Sequence, residues 1–175
     1  MRFRKALAIA TAAFTLGVIG GLIAPYEGIF ELMGVPGKGI KWGSLQAFLL
    51  IYVHNVVATL VIFGLSIVYV GFVAVALNGY MAGTVYELAT SRGLTSLQVL
   101  AALLPHGVVE VPAILIASAA GAEVLHSLRS ARGLRGPLRR LTISLVLLAL
   151  AAYIESYITP RISAAAGVPV APSGR

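Results

Sequence analysis

Residues 47–77, AFLLIYVHNVVATLVIFGLSIVYVGFVAVAL, contain no charged side chain, and their reading decides the fold. As a helix the stretch would run roughly 46 Å, against a bilayer hydrocarbon core of roughly 30 Å. It is too long for one upright crossing. Two arrangements accommodate it. Either residues 42–55 lie along the interface as an amphipathic helix and 56–77 cross, or the chain turns near Gly64 and crosses twice. His54 and Asn55 are its only strongly polar interruption, and a packing or interfacial pair is the simplest reading of them.

The rest of the chain agrees with a membrane setting. Of 175 residues, 59% are hydrophobic and 11% charged, where a soluble domain carries roughly 25% charged residues. With a mean hydropathy of +0.95 there is too little polar surface for a soluble globule or a disordered chain. The net charge of +7 sits in two clusters beside apolar spans, which is how membrane orientation is encoded, so the bilayer is expected as a partner and nucleic acid is not. The absence of cysteine excludes disulfides, thiol nucleophiles, iron–sulfur clusters and thiolate zinc sites. There is no Asp, and Asn and Gln occur only at Asn55, Asn78, Gln46 and Gln98. Such scarcity of thermolabile residues fits a thermophilic source.

Working outward, a first span is expected at 6–24, behind Arg2, Arg4 and Lys5 and ending at Pro25. A secretory signal peptide shares its charged start, but it is read here as a retained helix. The glycine-rich, mixed-charge residues 25–46, with Glu27, Glu31, Pro36, Lys38 and Lys41, read as a water-facing loop, with Tyr26, Phe30 and Trp42 suited to an interfacial belt. After the long stretch at 47–83, Asn78-Gly79 reads as a helix stop and 80–92 as interfacial. Thr95 is a plausible N-cap for a helix spanning 97–126 that Pro105 and Pro112 break or kink. Residues 127–140, with Arg129, Arg132, Arg135, Arg139 and Arg140, form a cytoplasmic loop by the positive-inside rule. A last span at 141–159 ends at Pro160, and 161–175 read as a flexible tail.

The basic N-terminus and the arginine loop belong on one side, so an even number of crossings separates them. The simplest count is five, with the C-terminus outside. The expected fold is therefore all-α: one polytopic helical membrane domain over 1–160, with interfacial amphipathic helices. Gly17 with Gly21, Gly79 with Gly83, and Ala113, Ala117 and Gly121 recur at the spacing that lets helix backbones approach in lipid. They read as packing, with homo-oligomerisation as a second use.

Ionisable groups inside apolar runs are costly and are functional candidates by default. His106 and Glu110 stand at i, i+4, on one face if the turn after Pro105 is helical. Together with Glu155 they make the expected polar intramembrane core. His54, Asn55 and Asn78 are secondary polar landmarks, and Pro105, Gly107, Pro112, Gly79 and Gly83 are kink or packing positions. His106 and Glu110 either pair with each other to tie the kink together or move protons or ions. One imidazole and two carboxylates would suit a divalent ion, yet only two of the three are local in sequence, so no metal and no cofactor is assigned. Enzyme signatures are missing: there is no phosphate-binding loop, no GxSxG elbow and no HExxH helix. Ser118 lies too far along one segment from His106 to pair with it on a continuous helix.

The segment Leu104-Pro105-His106-Gly107-Val108-Val109-Glu110-Val111-Pro112-Ala113 closely resembles the signature of the stage II sporulation protein M family. The likeness extends to His54-Asn55, to Asn78-Gly79 with Gly83, and to Glu155 with Thr159-Pro160, covering residues 47–160. Its Pro-His-Gly-x-x-Glu-x-Pro core is specific. The resemblance implies a polytopic membrane scaffold without catalytic activity, of the kind thought in spore formers to anchor peptidoglycan-degrading partners. The thermophile-like composition fits the archaeal members of that family. The resulting expectation is a non-enzymatic anchor for membrane or membrane-associated proteins, or a remodeller of the bilayer. A small ion, proton or solute transporter or channel using the His–Glu pair is the alternative.

Overall fold

A computed structural model describes residues 1–26, 28, 42–130 and 133–168. Among these residues the fold is all-helical, with no strand. The helices are α1 (Phe3–Ile23), α2 (Leu45–Ile67), α3 (Gly71–Ser91), α4 (Ser96–Arg129) and α5 (Arg135–Ala165). All but α3 are apolar and long enough to cross a bilayer. This is a multi-pass membrane protein. Although α3 is as long as α1, it carries Asn78, Thr84 and Glu87 and packs most extensively against α1.

The starts of these helices follow from their sequence. Ser44 caps α2, its hydroxyl accepting from Ala47 N–H at 3.1 Å. Thr95 and Gln98 form a capping box on α4: Gln98 N–H donates to Thr95 Oγ1 at 3.3 Å and Thr95 N–H to Gln98 Oε1 at 2.9 Å. Both orphan donors are thereby satisfied, in a setting where unsatisfied backbone groups are costly.

The chain runs along the bundle five times. At one end, the amino terminus donates to Tyr69 Oη at 3.4 Å, and the Arg140 guanidinium lies 4.2 Å from the centre of the Phe3 ring while pairing with Glu123. The start of α1, the α2–α3 turn and the α4–α5 connection therefore share that end. At the other end, Gln98 donates to the carbonyl of Gly167 at 2.9 Å, and the Tyr80 hydroxyl donates to the carbonyl of Ala24. Arg140→Gln removes an ion pair and a cation–π contact together, and is expected to cost about 1–2 kcal/mol, read as a lowered unfolding midpoint in detergent.

The interior is built from small residues. Ala6, Ala10, Ala47, Ala113, Ala117, Ala119, Ala120, Ala122, Ala151 and Ala152 are buried, whereas Leu16, Ile23, Val53, Val57, Val73 and Val146 are more than half exposed. With lipid as apolar as leucine, association rests on close backbone approach and interhelical hydrogen bonds. Ser66 and Ser118 supply one such bond between α2 and α4 at 2.9 Å. Ser144 donates to the carbonyl of Ala113 at 2.7 Å, joining α5 to α4.

Several expectations are corrected. Leu45–Ile67 is one helix, so there is no separate interfacial helix at 42–55. The chain does turn back, but at Val68-Tyr69-Val70 with Tyr69 at φ 67°, and not near Gly64. Asn78-Gly79 stops nothing: it and 80–91 belong to one continuous helix, α3, where Asn78 Nδ2 donates to the carbonyl of Ala74 at 3.0 Å. The helix through Pro105 and Pro112 is unbroken from Ser96 to Arg129. Much of the expected loop 127–140 is helical, and α5 continues past Pro160 to Ala165, so the first residues of the expected tail are ordered helix. Gly107 is no packing contact, since a side chain there would meet open space. Residues 29–41, with Phe30, Glu31, Pro36, Lys38 and Lys41, lie outside the described residues, as do Glu27, Arg132 and 169–175.

Candidate functional site

The unbroken course of α4 places His106 and Glu110 one turn apart on the same face. Pro105 and Pro112 flank them within the helix. Such prolines are tolerated in membrane helices because neighbouring groups re-satisfy the freed carbonyls.

The third residue arrives through an irregularity in α5. Ile154–Ile158 form a π-turn, in which Thr159 N–H reaches back to the carbonyl of Ile154. Pro160 supplies the physical cause. In a regular helix its nitrogen would bond the carbonyl of Ser156, but proline has no N–H and its ring crowds that carbonyl. The widened turn relieves the clash. The Ser156 carbonyl is instead taken by the N–H of Gly43, at 2.9 Å, from the residues just before α2. Gly43 makes this reach at φ +75°, a conformation that favours glycine.

With the turn so widened, His106, Glu110 and Glu155 come together. Each offers a ligand atom, and these atoms all lie within 4.8 Å of one another. All three side chains are partly buried. His106 Nδ1 is 3.4 Å from Thr159 Oγ1, which ties the imidazole to α5 as well. Among the described residues, neither carboxylate accepts a hydrogen bond or forms an ion pair. Glu110 and Glu155 lie about 20 Å along their helices from the Glu123–Arg140 pair, within two helices apolar and long enough to cross a bilayer.

Other residues singled out in the sequence lie elsewhere. His54 and Asn55 are partly buried on α2 and Asn78 is on α3; none of them belongs to the cluster. Ser118 is fully buried and bonded to Ser66. Sequence reasoning missed Thr159 as a partner of His106 and Gly43 as the partner of α5. For Gly43 the available signal was Pro160, an interior proline whose freed Ser156 carbonyl needs a donor; no local signal announced Thr159.

A family model described as Stage II sporulation protein M matches residues 6–160. An uncharacterized protein of Methanocaldococcus jannaschii is 26% identical over 140 residues, covering 74% of this chain and 76% of that one. No solved structure matches the chain.

Proposed function

The chain belongs to the stage II sporulation protein M family, and from that membership we propose that it acts as a non-enzymatic membrane scaffold, anchoring partner proteins or shaping the bilayer. The observation that carries this reading is the fit between α1 and α3. A Cβ added at Gly17, Gly21, Gly79 or Gly83 would stand 2.0 to 2.2 Å from a backbone carbonyl oxygen of the opposite helix. Backbone lies against backbone, so these helices cannot slide past side chains that yield. A body that holds other proteins in register benefits from such stiffness.

In this reading the end bearing Arg2, Arg4, Lys5 and the arginines of 129–140 is cytoplasmic, and the C-terminus is outside. Arg140 is committed to Glu123, whereas Arg129, Arg135 and Arg139 are exposed. These three form the partner-facing surface, for a membrane-associated protein or a second copy of the chain. The test is photo-crosslinking in intact membranes from positions between 130 and 139. One recurrent adduct is expected, reduced at least about tenfold when Arg129, Arg135 and Arg139 are changed to Gln in a protein that still folds. No adduct, or one indifferent to the arginines, defeats the scaffold reading at this surface.

The cluster of His106, Glu110 and Glu155 favours a second reading, a small transporter or channel. It predicts proton or ion flux in reconstituted vesicles that Glu110→Gln abolishes at equal incorporation.

A further inference from the structure

We infer that His106, Glu110 and Glu155 bind one divalent transition-metal cation within the bundle. This site does not depend on the scaffold reading. Two carboxylates come within 4.8 Å of each other between apolar helices, with no cationic or hydrogen-bonding partner among the described residues. Such a pair calls for a compensating positive charge, because isolated carboxylates in a medium of low polarity are strongly disfavoured. The adjoining imidazole decides which cation. One nitrogen and two carboxylate oxygens match borderline metals such as Zn²⁺ and Fe²⁺, whereas Ca²⁺ and Mg²⁺ take oxygen alone.

The spacing allows it. Zinc holds nitrogen and oxygen ligands at roughly 2.0–2.2 Å, so ligand atoms around it stand roughly 3.4 Å apart. Atoms already within 4.8 Å of one another close that gap by side-chain rotation alone. The contact from His106 Nδ1 to Thr159 Oγ1 leaves Nε2 for the cation. It also gives the ring the outer hydrogen bond that metal-bound histidines generally have. Three protein ligands fill three of the four positions zinc usually takes, leaving the fourth to water.

The backbone supports the same assignment from an independent direction. Glu155 belongs to a π-turn, a form that is rare and frequent at functional sites. Beside it, the fully buried hydroxyl of Ser156 has no hydrogen-bond partner among the described residues. The helix is irregular where its carboxylate meets His106 and Glu110.

The test uses the full chain in detergent, stripped with a chelator and titrated with Zn²⁺ against a chromophoric competitor. One equivalent is expected to bind. His106→Gln, Glu110→Gln and Glu155→Gln are each expected to weaken binding at least about 100-fold, since loss of an outer partner alone costs roughly 10–100-fold. The remaining histidines are controls: His54→Ala and His126→Ala are expected to bind like the wild type. Should a site variant fail to fold, the wild type still decides the matter. X-ray absorption of its zinc is expected to show one imidazole nitrogen with oxygen ligands. The proposal is overturned if the wild type binds no zinc, if two imidazoles appear, or if Glu155→Gln binds unchanged. A wild type without zinc leaves a carboxyl–carboxylate pair sharing a proton as the account of this cluster.

Discussion

Gly17→Leu is expected to separate α1 from α3 and to cost more than about 4 kcal/mol, beyond the usual 1–3 kcal/mol of overpacking. Its Cβ would stand 2.0 Å from the carbonyl oxygen of Ala76 and 2.9 Å from the nitrogen of Tyr80. Neither atom can rotate away, as the end of a flexible side chain would. The neighbouring positions repeat the constraint in both directions. Gly79 meets the carbonyl of Phe14 at 2.1 Å, Gly83 that of Val18 at 2.2 Å, and Gly21 that of Tyr80 at 2.1 Å. The register advances together along both chains, so α1 and α3 run parallel with their glycines interleaved. One leucine therefore forces the whole interface open. Gly64→Leu and Gly107→Leu are the controls, because a side chain at either site meets open space. Both are expected to change stability by less than about 1 kcal/mol, with leucine's better helix propensity in their favour. Unfolding midpoints in one detergent compare the three. If Gly17→Leu unfolds no earlier than Gly107→Leu, the α1–α3 packing described above is wrong.

That interface also shows what the sequence made readable and what it hid. The small-residue spacing of Gly17 with Gly21 and Gly79 with Gly83 is visible in the chain, but which stripe meets which is a tertiary fact. Asn78-Gly79 is a turn signal where water competes for the backbone. Here the Asn78 side chain bonds the carbonyl one turn back and Gly79 fits against Phe14, so the helix continues. The real reversal, at Val68-Tyr69-Val70, falls on β-branched and aromatic residues, with Tyr69 taking a positive φ that sequence rules reserve for glycine or asparagine. Nothing local announces it. By contrast, Thr95 was readable as a cap because its partner Gln98 is three residues away. His106 and Glu110 are likewise one turn apart. Glu155 is distant in sequence, and its approach depends on how α5 packs on α4.

Pro160→Ala is expected to stabilise the protein slightly and to damage the metal site severely. Alanine restores an N–H that can bond the carbonyl of Ser156, and removes a ring that costs about 3 kcal/mol in an ordinary helix interior. The π-turn then has no cause, and α5 tightens to regular geometry, shifting the register across residues 154–158 by about one residue, or roughly 100°. Which part of α5 moves depends on which anchors hold. If Arg140 on Glu123 and Ser144 on Ala113 hold, Thr159 swings away from His106. If the Thr159 contact and the Gln98–Gly167 bond hold, Glu155 swings away from Glu110. Either movement strips the cation of a ligand or of an outer partner, so Zn²⁺ affinity is expected to fall at least about tenfold while the unfolding midpoint stays level or rises. A midpoint that drops shows that proline is needed for folding. Unchanged affinity shows that tertiary packing, and not Pro160, holds the turn open. The expected pairing of gained stability with lost binding is what a strained turn kept for its site produces, since strain persists only where the surrounding structure over-determines it.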